Sequence, residues 1–237
     1  MAYAVERRGC LVEYQPRLAI PEDGNKYYIR KSSGGFNPAI VGYPKHKSLD
    51  VLSNCVGYAV GRFNEIAGSE ICEYLKPVNA ERFIDYALQQ GLKISKKPRP
   101  GACAVWRGGD TNQGSDGAGH VAIVEEIYDD GSILTSESGY GDNRAFWTTH
   151  RLKGNSGNWG QKIGSYKFLG FILNPAVVEL PYGVEWATIK FNGEYINVPA
   201  IMVYNRWFIQ LRSIDEILNL ACVGYDASEG IPEVITK

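Results

Sequence analysis

The order of patterns along this 237-residue chain predicts an α+β fold. Two segments with helical periodicity come first, between residues 50 and 91. Strand-length apolar runs broken by glycine-rich turns follow them. The composition is that of an ordinary globular protein, 44% apolar and 22% charged, which excludes disorder, a collagen-like chain and a coiled coil.

Residues 1–50 carry turn formers and no long periodic pattern, with loops at Ser32-Ser33-Gly34-Gly35 and at Pro44. The first helix is announced by a stripe of Val56, Ala59, Val60, Phe63 and Ala67. Asp50 or Ser53 can cap it, and Gly68 closes it. A second helix begins at Asn79, with Phe83, Ile84, Ala87 and Leu88 as its stripe and Gly91 as a left-handed exit. Pro98-Arg99-Pro100-Gly101 then turns the chain into a strand over Ala102–Trp106. A glycine-rich loop, 108–119, leads to a strand over His120–Tyr128. Asp129-Asp130-Gly131-Ser132 makes a hairpin turn into the return strand Ile133–Glu137. A second loop, Gly154–Gly160, precedes a strand over Tyr166–Leu173.

Asn174-Pro175 and Pro181-Tyr182-Gly183 mark a boundary, so the expected domains are 1–178 and 183–237. The tail carries a net charge of −3 against +2 for the remainder. Its pattern reads as strands over Thr188–Phe191 and Tyr195–Val198, a further strand and a short helix over Ser213–Ala221.

A net charge of −1 gives no overall pull on nucleic acid, which is not an expected partner. No apolar run has the length of a membrane span. The first twenty residues lack a continuous apolar core, so no signal peptide is expected and the chain is expected to be made in the cytoplasm. The five cysteines, Cys10, Cys55, Cys72, Cys103 and Cys222, are odd in number and form no C-x-x-C pair. That excludes a zinc ribbon and a thioredoxin motif and suggests reduced thiols.

Cys55 stands apart from the other four. It falls in the first turn of the first helix, one position off the apolar stripe. Free N–H groups and the partial positive charge at a helix start favour a thiolate, the nucleophilic form. The Cys55 N–H is also placed to bind an oxyanion. For the remaining cysteines the reading is a small buried side chain. Of three histidines, His46 lies between lysines and His150 at a strand end, whereas His120 opens an apolar strand beside the glycine loop. A thiolate–imidazole pair requires only such a histidine within hydrogen-bond reach. Glu137 on the return strand is a candidate to orient the imidazole. A simple two-residue hairpin places it opposite Val124, however, four residues or roughly 13 Å short of His120. A bulge, a diagonal reach or another register would close that gap, and Asn143 is the alternative.

Three segments carry a resemblance: Asn54-Cys55-Val56-Gly57-Tyr58-Ala59, Pro98 through Trp106, and Gly119-His120-Val121-Ala122-Ile123-Val124-Glu125. In this order they resemble the CHAP family of cysteine, histidine-dependent amidohydrolases and peptidases, over about residues 25–175. The resemblance implies a papain-like domain that hydrolyses peptidoglycan at an amide of the stem peptide, of the cross-bridge or of the muramic acid–alanine junction. It carries the nucleophile to Cys55, the base to His120 and the acidic position to Glu137. Where many members have asparagine two residues after that acid, this chain has Gly139. Asn54, Trp106, Tyr140 and Trp147 are the candidate substrate-binding residues. Rings stack on sugar faces, so aromatic side chains suit a groove wall.

No metal and no cofactor is expected. Some members have a calcium loop before the cysteine, but 46–52 holds the single carboxylate of Asp50. The stretch from Phe146 to Gly160 is similar to that of endolysins from phages of Gram-positive gut bacteria, which implies action on the cell wall after release. The tail, from Ile189 to Arg212, resembles the small stalk domain first named in copper amine oxidases, which implies wall attachment. It has no histidine and so no basis for copper. Two other readings are weighed beside the hydrolase: a non-catalytic wall-binding module, and a cytosolic amidohydrolase of small amides.

Overall fold

Helix formation at residue 55 begins with Asn54, whose extended backbone (φ −158°) lets its side chain accept the Gly57 N–H at 2.9 Å. The expected caps, Asp50 and Ser53, lie outside the described residues. The computed structural model describes residues 3–7, 10–22, 25–28, 54–68, 75, 78–108, 118–139, 145–161, 166–191, 194–203, 206–209, 222–226 and 231–235. Its elements are β1 (Tyr3–Arg7), β2 (Cys10–Glu13), α1 (Cys55–Ala67), a 3₁₀ turn (Ala80–Arg82), α2 (Phe83–Gln89), β3 (Ile94–Ser95), β4 (Cys103–Arg107), β5 (His120–Ile127), β6 (Ile133–Glu137), β7 (Trp147–Arg151) and β8 (Lys167–Ile172). They continue with β9 (Val177–Glu179), β10 (Val184–Phe191), β11 (Glu194–Val203), β12 (Arg206–Ile209), β13 (Cys222–Asp226) and β14 (Ile231–Ile235). The fold is mixed and strand-rich. Two compact units result, Gln15–Pro175 and a second made of Met1–Tyr14 with Ala176–Lys237.

In the first unit a six-stranded antiparallel sheet has the order β3-β8-β4-β5-β6-β7. One face receives α1, which packs on β5 and β6. The helix buries Val56, Tyr58, Ala59, Val60, Phe63 and Ile66. Gly68 ends it, as the sequence predicts, and does so in the left-handed conformation at φ 72°. The opposite face of the sheet holds Ala102, Ala104, Trp106, Ala122, Val124, Ile133 and Phe171, covered by Trp159. A short second helix forms where expected but starts as a 3₁₀ turn, and Asn79 makes no side-chain cap. Leu88 of its predicted stripe is exposed, because α2 is too short to bury a complete stripe.

A buried ionic network fixes α1 to the sheet. Arg62 donates from Nε to Glu125 Oε1 at 3.0 Å and from Nη2 to Oε2 at 2.9 Å. Its Nη1 donates to Glu65 Oε2 at 2.8 Å, and Arg17 pairs with the same Glu65. The Ser136 hydroxyl donates to Glu125 at 2.6 Å, and the Tyr58 hydroxyl donates to Ser136 at 2.7 Å. Buried charges require partners of this quality, since their desolvation is otherwise uncompensated.

In the second unit β1 pairs with β2 and with β9, an arrangement the turn-rich N-terminus does not announce. Strands β10, β11 and β12 form an antiparallel meander around Ala187, Val198 and Ala200, and β13 pairs with β14. The expected helix over Ser213–Ala221 lies outside the described residues.

Candidate active site

Three elements converge on the candidate residues. Cys55 is the first residue of α1, His120 the first of β5 and Glu137 the last of β6. On one side the His120 imidazole faces Cys55, whose influence raises the pKa of the ring. On the other side of the ring, Nε2 lies 2.8 Å from Glu137 Oε2. With Nε2 given to the carboxylate, Nδ1 is the nitrogen left for the thiol. The structure thus brings together all three residues that the sequence singled out for chemistry.

The gap at Glu137 closes by two local departures from a plain hairpin. The turn spends three residues, Asp129, Asp130 and Gly131, rather than two. Tyr128 pairs with Ser132 (N···O 2.9 Å), and Gly131 takes φ 80°. The Ser132 N–H and hydroxyl both donate to Asp130. A bulge at Glu125 then shifts the ladder by one more residue, from Glu126↔Leu134 to Val124↔Thr135. Ile123 faces Ser136, which puts Glu137 one step beyond, level with Ala122. His120 is two residues further along the same face, within the diagonal reach of a long side chain. Asn143, the alternative, lies outside the described residues.

His120 is presented by Gly119, whose φ is 69°. A Cβ there would lie 2.4 Å from the Trp106 carbonyl oxygen and 2.9 Å from the Glu81 nitrogen, so the position admits only glycine. Trp106 is Cα partner to His120 across β4 and β5 and stacks on it, with ring centroids 5.8 Å apart at 29°.

Behind the histidine, Glu137 is buried and shares its second oxygen. Oε1 accepts from Thr135 Oγ1 at 2.8 Å and from Arg151 Nη2 at 2.6 Å. Burial alone would raise its pKa. The His120 hydrogen bond and the Arg151 charge outweigh burial and hold the carboxyl at about 2. Burial likewise disfavours the imidazolium. The hydrogen bonds to Cys55 and Glu137 overcome it and raise His120 to about 9. The ring is therefore an imidazolium at neutral pH, sitting between the Glu137 carboxylate and the Cys55 sulfur. Cys103 is fully buried, and burial pushes its thiol well above the ordinary range, as suits a packing residue.

Two candidate substrate-binding residues have other work. Trp106 has no exposed surface, and its Nε1–H donates to the Asn158 carbonyl at 2.7 Å. Its ring packs against His120, Arg151 and Phe168 and has no exposed surface for a sugar. Asn54 is 5% exposed and caps α1 through its side-chain oxygen, while its N–H donates to Ser138 Oγ at 3.0 Å. Trp147 is half-buried and sits opposite Glu137 in the β6–β7 ladder. Tyr140 lies outside the described residues. The sequence marks neither Arg151 nor Thr135. The signal that could have found them is the alternation of Trp147, Thr149 and Arg151, which makes β7 a strand facing the return strand. Among the described residues no group of three ligating side chains could hold a metal ion.

These positions fall within, or immediately beside, one stretch with a known counterpart. Residues 45–139 match the CHAP domain family. The CHAP stretch contains Cys55, His120 and Glu137, while Arg151 lies beyond it. The chain is 30% identical over 134 residues to the probable autolysin SsaALP of Staphylococcus aureus, covering 56% of this chain and 46% of that protein. It is 28% identical over 128 residues to the staphylococcal secretory antigen SsaA of the same species, covering 54% and 43%. The chain thus spans under half the length of these relatives. A solved structure of an N-acetylmuramoyl-L-alanine amidase from Staphylococcus aureus aligns over 42% of this chain and 27% of its own, with 22% identity and a TM-score of 0.34.

Proposed function

We propose that the chain is a peptidoglycan hydrolase that cuts an amide bond of the bacterial cell wall with Cys55 as nucleophile. The observation that carries the reading is the convergence of Cys55 at the start of α1, His120 at the start of β5 and the buried Glu137, whose Oε2 lies 2.8 Å from His120 Nε2. The CHAP match and the autolysin among its relatives support peptidoglycan as the substrate. The bond cut is an amide of the stem peptide, of the cross-bridge or of the muramic acid–alanine junction.

In this mechanism Cys55 reacts as the thiolate, its proton held on His120: Sγ attacks the amide carbonyl and forms a thioester as the C–N bond breaks. His120 delivers its Nδ1 proton to the departing amine and then takes a proton from the water that hydrolyses the thioester. Glu137 holds the imidazole orientation and balances its charge. The Cys55 N–H, in a first turn where amides lack an intrahelical carbonyl, is the donor for the oxyanion.

Among the described residues Trp147, at the β7 end beside Glu137, is the aromatic candidate for the groove wall, and Tyr140 belongs to the same proposal. The papain-like character of the catalytic domain, its extent over 1–178, a phage endolysin origin and wall attachment by a stalk-like 183–237 belong to the same proposal. They are supported by the sequence resemblances in 25–175, 146–160 and 189–212.

Purified Gram-positive cell walls incubated with the chain and with Cys55→Ala test it. Clearing by the parent alone, with new amino groups labelled and the fragments weighed by mass spectrometry, is the expected result. Equal clearing by both removes Cys55 from the mechanism.

A further inference from the structure

Arg151 takes no part in the proposed bond-making, yet it touches both groups that hold the histidine. Its Nη2 donates to Glu137 Oε1 at 2.6 Å, its Nε to Thr135 Oγ1 at 3.0 Å and its Nη1 to the Trp159 carbonyl at 2.9 Å. The guanidinium carbon lies 4.9 Å from the Trp106 ring centroid, and that ring stacks on His120. With every guanidinium nitrogen engaged and the side chain 5% exposed, the fork has one available position.

A carboxylate offers two equivalent oxygens and turns freely about its last bond. Arg151 and Thr135 remove that freedom. They claim Oε1 and leave Oε2 as the oxygen for His120. The guanidinium also lies over the indole that stacks on the imidazole. We propose that Arg151 is the positioning residue of the His120–Glu137 pair, locking the carboxylate and the indole that together aim the imidazole at Cys55. This rests on the hydrolase reading for its effect on rate, but not for its effect on geometry.

The ionisable groups that face Glu137 among the described residues are His120 from β5 and Arg151 from β7, with Cys55 of α1 across the imidazole. Removing the arginine leaves a buried carboxylate with a single cationic neighbour. Glu137 then takes up a proton at higher pH, and His120 loses its partner there.

Arg151→Met keeps the length and removes the charge and the donors; Arg151→Lys keeps the charge and loses the fork. Two readouts apply: kcat and KM on wall fragments at neutral pH, and the imidazole signals of His120 followed by NMR from pH 9 down to pH 2. For Arg151→Met a kcat lower by about 10- to 100-fold is expected, with KM within about twofold. The acid inflection of the His120 signals should rise by about one pH unit or more. Arg151→Lys should return that inflection most of the way towards the parent. A wild-type kcat in Arg151→Met, or a lost kcat with an unmoved inflection, overturns the proposal.

If thermal melting shows that Arg151→Met does not fold, Arg151→Lys decides. A kcat lower by about threefold or more at unchanged KM supports the role, since the fork is lost; a wild-type kcat overturns it. The NMR titration needs no substrate. A parent protein that leaves walls and their fragments intact therefore sinks the hydrolase reading, while the inflection still tests Arg151.

Discussion

Gly119→Ala is the sharpest single test of how the site is held. The residue has φ 69°, and an added methyl would sit 2.4 Å from a backbone oxygen of Trp106 and 2.9 Å from the Glu81 nitrogen. Two costs combine. A left-handed conformation costs a non-glycine residue about 1–2 kcal/mol. Forcing a methyl into packed backbone adds about 1–3 kcal/mol, because neither neighbour is a side-chain tip that can swing away. The sum is about 2–5 kcal/mol, which for a domain of this size is a melting-point drop of about 4–20 °C. Gly131→Ala separates the two costs. Its φ is 80°, but nothing lies within 4 Å of the added atom, so only the conformational cost applies. Thermal melting by circular dichroism, run on both variants at one pH, measures the difference. Gly119→Ala should melt below Gly131→Ala and should lose wall-clearing activity, since His120 is the next residue. Equal melting points would refute the claim that Gly119 is held by steric contact.

Two further predictions follow from the buried charges. Because His120 is raised to about 9 by its partners, the stability it contributes is fully present below the ordinary imidazole value near 6.5 and is lost as pH rises through about 9. Activity should show a basic limb in the same window. Glu137→Gln should move that limb down by about one unit or more and lower kcat by about 100-fold or more, read from pH–rate profiles; an unmoved limb counts against the pairing. Separately, Arg62→Met should destabilise the first unit by about 3–5 kcal/mol in urea unfolding, because Glu125 keeps its charge and loses its cation. Adding Glu125→Leu should restore part of that loss, and a double variant no better than the single one would refute it.

Much of the site is legible in the sequence because its parts are local. A helix start marks Cys55, a glycine before a strand marks His120, and the return strand carries Glu137. The distance between the last two is not legible. It depends on a three-residue turn, held locally by Ser132 on Asp130, and on a bulge whose Glu125 is held by Arg62 of another element. Trp106 and Asn54 are read as groove residues because nothing in a sequence tells a ring or an amide facing solvent from one enclosed. Arg151 escapes notice because its partners, Glu137 and Trp159, come from β6 and from the loop after β7. The strands at residues 3–13 escape for a similar reason, since half of their pairing is supplied by Val177–Glu179.

The bulge at Glu125 bears on which changes of chain length this protein can survive. One supernumerary residue in β5 turns a carboxylate toward Arg62 while Val124↔Thr135 and Glu126↔Leu134 keep their pairing on either side of it. Deleting it would close these pairs into a regular ladder, leave Glu137 level with Ala122 and strand the Arg62 guanidinium. Deletion of Glu125 should therefore lower stability through Arg62 and leave the approach of Glu137 to His120 in register. Deletion of one residue in the exposed Asp129–Asp130 turn leaves a two-residue loop between Tyr128 and Ser132 and does not touch Arg62, so that deletion should cost less stability than the loss of Glu125.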